Sequence, residues 1–336
     1  MGMPGMHGSV TAVAALQEAD LLLALGTRFD DRVTGELDSF APDARVIHVD
    51  IDAGEIGRKR RPDVGIVADC APALSALLAQ LRTDRARQSG RTAEDGAGHG
   101  PWLSRLEELR QRFPLGYSPT PGALSPHYVT ERLGALTSGP GTVYTAGVGQ
   151  HQMWAAQLIP FERPRSFVNS GGAGTMGYAL PAAMGVKAAL PDARVWAIDG
   201  DGSFQMTNQE LAACVHSGLP IKVAVINNGT LGMVRQWQDL FYDREYAHTD
   251  LSAASLDTSP DIAALARAYG CAAFTCERAE DVDRVIQEAA KVEDRPVLVE
   301  FMVSKEAMVW PMVPAGMSND DLLVARNLPP DFGDDA

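Results

Sequence analysis

Short apolar runs punctuate the chain, each bounded by polar or glycine-bearing segments. Residues 21–27 (LLLALGT), 45–51 (RVIHVDI) and 64–68 (VGIVA) have strand length, and their nearly continuous hydrophobicity suits parallel strands buried on both faces. A helical spacing over 71–88 follows. Residues 89–100 (SGRTAEDGAGHG) are then small, polar and rich in glycine, which marks a linker between domains. Beyond it the spacing predicts helices over 101–113 and 126–136; Ser125 is placed to cap the second, and Pro126 suits its first turn. Strands are predicted over 142–146, 166–169, 194–198, 221–226, 272–275 and 297–302, with helical segments between most of them. Strands alternating with helices predict an α/β fold: two domains with parallel sheets flanked by helices, divided as 1–88, a linker at 89–100, and 101–336. Ligands of such sheets bind beyond the carboxyl ends of the strands.

Composition narrows the function. The 336 residues suit two domains, and although 46% are hydrophobic, no uncharged apolar run approaches the ~20 residues that cross a bilayer. The opening MGMPGMHGSV has neither a basic start nor a continuous apolar stretch, so it does not read as a secretory signal and the expected compartment is the cytoplasm. A net charge of −14 disfavours nucleic acid and anionic membrane as partners. An anionic ligand must therefore be held by local geometry. Cys70, Cys214, Cys271 and Cys276 form no C-x-x-C pair and no paired metal-ligand array, which suits free thiols in a reducing compartment.

Two strand ends carry the chemistry. RVWAI runs into Asp199, Gly200, Asp201, Gly202 and Ser203, and IKVAVI ends in Asn227, Asn228 and Gly229. A helix predicted over 206–217 returns the chain, so that two loops open on the same sheet edge. Magnesium prefers octahedral oxygen coordination and combines one or two protein oxygens with ligand phosphates and water. Asp201 supplies charge, Asn228 a neutral oxygen, and the backbone carbonyl near Thr230 a third group. Gly200 and Gly202 let the backbone approach a diphosphate without a side-chain clash. A lone GDG is weak evidence, because Gly and Asp are common in turns; its pairing with a second strand end in NN is what gives it meaning.

At this point the sequence resembles the thiamine-diphosphate enzymes, whose cofactor motif begins with GDG and ends with NN. Within them, residues 200–238 (GDGSFQMTNQELAACVHSGLPIKVAVINNGTLGMVRQWQ) resemble the catalytic large subunit of acetolactate synthase, also called acetohydroxyacid synthase. PGMHG at 4–8, RFDDRVTG at 28–35, GQHQMWAAQ at 149–157 and GGAGTMGYALPAA at 171–183 support this, so the resemblance covers almost the whole chain. It implies that Asp201, Asn228 and the Thr230 carbonyl hold Mg2+. Gln150, His151, Gly202, Ser203, Gly229, Leu231, Gly232 and Met233 are then expected around thiamine diphosphate. Gly174, Thr175 and Met176 are expected at its aminopyrimidine, although a Met is by itself core filler. Met233, Val234 and Trp237 have helical spacing that suits an apolar face; the resemblance instead puts Trp237 at the substrate entrance.

The first domain resembles the C-terminal part of the family's central, flavin-binding domain. Pro4, Gly5, Met6, His7, Gly26, Thr27, Arg28, Phe29, Asp30, Asp50, Ile51, Asp69 and Cys70 are implied to contact FAD. From its position alone, Asp50 reads equally as a ribose-binding acid or as a turn residue. Asp31 and Arg32 fall where the family lines its substrate channel. Trp310 to Gly316 (WPMVPAG) resembles a tail that folds over the active site, and the acidic DFGDDA end is expected to be disordered.

The implied reaction decarboxylates pyruvate and joins the two-carbon unit to pyruvate or 2-oxobutyrate. The products are 2-acetolactate or 2-aceto-2-hydroxybutyrate, in branched-chain amino-acid biosynthesis. A homodimer or homotetramer and a small regulatory subunit are also implied. The family's activating glutamate belongs to an N-terminal domain that does not precede Met1. The chain is therefore expected to be N-terminally truncated, weak or inactive alone, and a poor binder of FAD, with exposed apolar surface. Another thiamine-diphosphate carboligase or decarboxylase, or a non-catalytic truncated module, are the alternative readings.

Overall fold

The computed structural model describes residues 1–87, 99–117, 122–252 and 260–325, with the side chains of 85–87 excepted. Two compact units are present, one of residues 1–115 with 310–336, the other 116–309. This division differs from the expected linker at 89–100, most of which lies outside the described residues, as does the DFGDDA end. The helix predicted just after that linker, α4 (Gly100–Arg112; helices are numbered in chain order), belongs to the first unit because it buries Leu106 and Leu109 there.

The first unit is built on parallel strands β1 (Leu21–Leu25), β2 (Arg45–Asp50) and β3 (Val64–Val67), in that spatial order. Helices α1 (Val10–Gln17), α2 (Asp31–Thr34) and α3 (Cys70–Arg87) connect or flank them. Ser9 starts α1 by accepting the Ala12 N–H at 3.1 Å. One sheet face packs Leu22, Ala24 and Val46 against Phe29, Phe40, Ala41 and Ala44. The other does not match the expectation of burial on both faces. Leu21 and Leu23 stand exposed on it, where strand side chains alternate, and β3 is exposed on both sides, Val64 and Ile66 on this one and Val67 on the other. Residues 310–325 complete this unit: Met312 bridges Leu323, the Val313 N–H donates to Met6 at 2.7 Å, and Val313 and Leu322 pack on Val10 and Val13.

The second unit is a six-stranded parallel sheet in the order β5-β4-β6-β7-β9-β8, in which β4 is Thr142–Ala146, β5 Phe167–Asn169, β6 Arg194–Gly200, β7 Lys222–Asn227, β8 Ala272–Cys276 and β9 Val297–Met302. Every pairing is parallel. Alternation along the central strands divides the core in two. Trp196, Ile198, Ala224 and Ile226 face one side, under helices α5 (Pro126–Thr137), α6 (Gln150–Leu158) and α12 (Val282–Ala290). Val195, Ala197, Val223 and Val225 face the other, under α7 (Ala179–Ala189), α9 (Glu210–His216) and α11 (Ile262–Ala268). Burial on both faces explains why these strands read as unbroken apolar runs. Two short elements, α8 (Asp201–Phe204) and α10 (Gly232–Phe241), leave the carboxyl ends of β6 and β7. Among the described residues, no helix is long and apolar enough to cross a membrane.

Candidate cofactor site

At the carboxyl edge of the six-stranded sheet, the residues following β4, β6 and β7 line a cleft of about 570 Å3. The strand order reverses at β4, which lies between β5 and β6, and such reversals are where open α/β sheets bind ligands. Asp201 is the first residue of α8 rather than part of a loop, and its carboxylate is buried, with the residue 4% exposed. Burial pushes its pKa up to about 7. Against that, the backbone N–H groups of Asp201, Gly202, Asn228 and Gly229 donate to it and favour the charged form. The two strand ends therefore meet at one carboxylate.

The second strand end is held as a tight turn. The Asn227 side chain accepts the Gly229 N–H at 3.0 Å, and Gly229 takes φ +68°, a left-handed conformation that a Cβ disfavours. Asn227 in turn donates to buried Glu300 at 2.8 Å, whose other oxygen accepts the Ala263 N–H at 3.3 Å. Sequence reading missed Glu300; an acid inside the apolar run VLVEFM was the available signal. Asn228 Oδ1 accepts from the Thr230 N–H at 3.0 Å and its hydroxyl at 3.3 Å, while Asn228 Nδ2 donates to Gln150 Oε1 at 3.3 Å. Gln150 continues the network by donating to Gln236 at 2.9 Å and to the Ala307 carbonyl at 3.0 Å.

Glycines give the cleft its room. A Cβ on Gly202 would meet Leu231 at 2.8 Å and Leu251 at 3.0 Å; one on Gly200 would meet the His151 ring at 2.8 Å; one on Gly232 would run into Gln150 and Asn228. Three buried polar atoms nearby have no hydrogen-bond partner: His151 Nε2, Trp154 Nε1 and Asp199 Oδ2. His151 Nε2 lies 3.4 Å from Asp199 Oδ1. Unpaired buried polar atoms are costly to the fold, and these three lie behind the cleft wall rather than on its surface.

Of the residues predicted from sequence, Gln150, His151, Met176, Asp201, Gly202, Ser203, Asn228, Thr230, Leu231, Gly232 and Met233 line this cleft. Gly229 contributes its N–H to Asp201 from just behind the wall. Gly174 and Thr175 do not line it; they sit exposed on a turn in which the Ser170 hydroxyl accepts the Thr175 N–H at 3.0 Å. Trp237 is half-buried on α10 and is also not among the lining residues, whereas Val234, one turn earlier, is. Gly200, expected to let the backbone approach a diphosphate, also lines it, whereas Val148, Gly149, Trp154 and Ile226 line the cleft without having been assigned to it from sequence.

The donor set fits an ion shared with a diphosphate. Among the described residues no three His, Cys, Asp or Glu side chains group to hold a metal, and one carboxylate, one amide oxygen and a carbonyl would leave half of an octahedron to phosphate and water. Backbone N–H groups are the neighbours that favour the charged form of the buried Asp201 carboxylate, and a divalent cation there would favour it further.

In the first unit, Gly26, Asp50 with Ile51, and Asp69 with Cys70 follow the ends of three paired parallel strands and so lie along one carboxyl edge. Gly26 takes φ +61°, and a Cβ there would stand 3.4 Å from Cys70 Sγ. The 4–7 turn is fixed by the Met6 N–H donating to Arg32 at 2.6 Å. His7 is buried, with Nδ1 3.0 Å from the Pro311 carbonyl, and burial lowers its pKa to about 4. Its role here is structural. Phe29 is likewise core, edge-on to Phe40 and His48, and Arg28 pairs with Asp30 at 2.9 Å. Asp31 and Arg32 line a separate small cleft with Met6, Val313 and Pro314.

Sheet order, cleft and donor set define a thiamine-diphosphate-binding α/β unit, and sequence comparison agrees. The profile described as "Thiamine pyrophosphate enzyme, C-terminal TPP binding domain" matches residues 147–301, and "Thiamine pyrophosphate enzyme, central domain" matches residues 1–77. The chain belongs to the thiamine pyrophosphate enzyme family. More narrowly, it is similar to acetolactate synthases: 57% identical over 337 residues to one from Mycobacterium leprae, covering 100% of this chain and 52% of the relative. It is 52% identical over 336 residues to "Acetolactate synthase large subunit" of Corynebacterium glutamicum, covering 100% and 52%. It is 42% identical over 324 residues to "Acetolactate synthase 1, chloroplastic" of Zea mays, covering 96% and 49%. The chain thus spans about half the length of the curated relatives it matches.

Proposed function

We propose that this chain contributes the thiamine-diphosphate-binding unit of an acetolactate synthase, which decarboxylates pyruvate and transfers the two-carbon unit to pyruvate or 2-oxobutyrate. The observation that carries this reading is the convergence on the Asp201 carboxylate of backbone N–H groups from both strand ends, in a cleft shared with Gln150 and His151. Asp201, Asn228 and the Thr230 carbonyl hold Mg2+. Gly200 and Gly202 admit the diphosphate, and His151 lines the same cleft. When bound, thiamine diphosphate supplies an electron sink for carbon dioxide loss. The residues of this chain bind and orient: Leu231, Met176 and Trp154 form apolar walls that exclude water, and Glu300 fixes the metal-side turn through Asn227.

The same reading assigns FAD to the carboxyl edge of the three-stranded sheet, at Gly26, Asp50, Ile51, Asp69 and Cys70, supported by their shared edge. It also includes a homodimer or homotetramer with a small regulatory subunit, which the exposed apolar face of that sheet supports. A cytoplasmic location is supported by four free cysteines. The test uses Trp154 as reporter. Thiamine diphosphate is expected to quench tryptophan fluorescence only when Mg2+ is present, and Trp154→Phe to remove most of that change. Product identity tests the carboligation. Formation of 2-acetolactate from pyruvate supports the proposal, whereas release of acetaldehyde or acetate supports a different decarboxylase.

A further inference from the structure

The amino edge of the six-stranded sheet carries a second cleft, of about 970 Å3 and open to solvent. It is formed where the chain enters β6 and β7 and by Glu293 ahead of β9. Because the strands are parallel and six or seven residues long, it lies roughly 20 Å from the first cleft, at the opposite ends of the same strands. Three cations line it: Lys187 at the end of α7, Arg194 opening β6 and Lys222 opening β7. In a chain of net charge −14 this is a local reversal of sign.

Their hydrogen bonding is incomplete. Lys222 is only 5% exposed, yet its ammonium has one acceptor, the Val292 carbonyl at 3.1 Å. Lys187 gives two N–H groups, to the carbonyls of Pro191 at 2.7 Å and Ala193 at 2.8 Å. The exposed Arg194 guanidinium has no hydrogen-bond partner among the described residues. Asp192 and Glu293 also line the cleft, but neither forms an ion pair with any of the three cations. Lys222 is buried along most of its length, and its ammonium has Lys187 and Arg194 as like-charged neighbours, Glu293 as the opposing one and a single carbonyl acceptor, so donor positions toward the cleft are left for a ligand. Lysine and arginine donors around an open cleft fit a compact, multiply charged oxyanion.

We propose that this cleft binds a small phosphate-class dianion, held by Lys222 and Arg194 with Lys187 contributing its remaining N–H. This goes beyond the cofactor reading and does not depend on it. The probe is inorganic phosphate, titrated calorimetrically into the chain at constant ionic strength and neutral pH. Saturable binding that chloride does not reproduce is expected, weakened about tenfold or more by Arg194→Glu. The Arg194 guanidinium is exposed and makes no hydrogen bond among the described residues, and its backbone N–H bond to Gly141 is untouched by the substitution, so the fold is expected to survive it; Lys222→Met, isosteric in its stem, is the second variant and is expected to weaken binding similarly. No saturable phosphate binding, or equal affinity in the parent and Arg194→Glu, overturns the proposal. Phosphate taken up by the first cleft would survive Arg194→Glu, so that outcome refutes the second site without touching the cofactor assignment.

Discussion

Gly232→Ala puts one methyl group between the two side chains that tie α6 to the second strand end. A Cβ there would stand 2.6 Å from Asn228 Nδ2 and 2.9 Å from Gln150 Cδ, and closer still to Gln150 Oε1. The methyl therefore lies in the path of the Asn228 to Gln150 hydrogen bond, and both side chains must turn aside. The lost bond costs about 1 kcal/mol. Overpacking adds about 1–3 kcal/mol, offset by up to about 1 kcal/mol from the better helix propensity of alanine. The net expectation is a loss of about 1–4 kcal/mol in urea unfolding. The larger effect falls on the ligand: displacing the Asn228 oxygen by about 2 kcal/mol weakens magnesium-dependent binding of thiamine diphosphate about thirtyfold. Gly185→Ala is the control, since that glycine is exposed within α7 and a Cβ there meets nothing within 4 Å. It should be neutral or stabilise by about 0.5–1 kcal/mol. Refutation is simple to recognise: Gly232→Ala and Gly185→Ala with the same stability and the same affinity for thiamine diphosphate.

His127 is packed against Tyr117 and Trp154 with Nε2 3.1 Å from the Met308 carbonyl, and burial lowers its pKa from 6.5 to about 4. The unfolded chain then binds more protons than the folded one between those values, so stability falls as pH drops through that window, by about 3 kcal/mol at its lower end. Urea unfolding from pH 7 to pH 4 should show this slope, reduced in His127→Gln; parallel profiles for the two proteins would count against it. Glu300→Ala strips Asn227 of its acceptor and should cost about 2 kcal/mol in unfolding while weakening thiamine diphosphate binding, whereas Glu300→Gln keeps an acceptor oxygen and should cost less. Equal effects of the two substitutions would show that the hydrogen bond does not matter.

The second unit was the more legible in sequence because its central strands are buried on both faces and announce themselves as apolar runs; RVWAI and IKVAVI became β6 and β7 within two residues of their predicted bounds. Asp201 and Asn228 were found because a carboxylate and an amide at strand ends have an evident chemical use. Val148 and Ile226 were not assigned to the cleft because their contribution is surface, which depends on what stands opposite. Glu300 escaped because its partner, Asn227, is distant in the chain. In the first unit the same apolar signal misled. LLLAL and VGIV have the composition of two-faced strands, and composition does not reveal that, among the described residues, LLLAL is covered on one face and VGIV on neither. Phe29 and His7 sit in motifs that suggest ligand contact, yet each is used by the core: Phe29 by the aromatic cluster with Phe40, His7 by the carbonyl of Pro311. Residues 310–325 gave no sign that they would pack on α1, since that contact joins the two ends of the described chain.

The most direct measurement is calorimetric titration of thiamine diphosphate into the chain and into Asp201→Ala, each with Mg2+ and with the metal chelated away. The account predicts saturable binding by the parent only with Mg2+, and none by Asp201→Ala under either condition. Binding that ignores the metal, or that Asp201→Ala retains at parental strength, would contradict it.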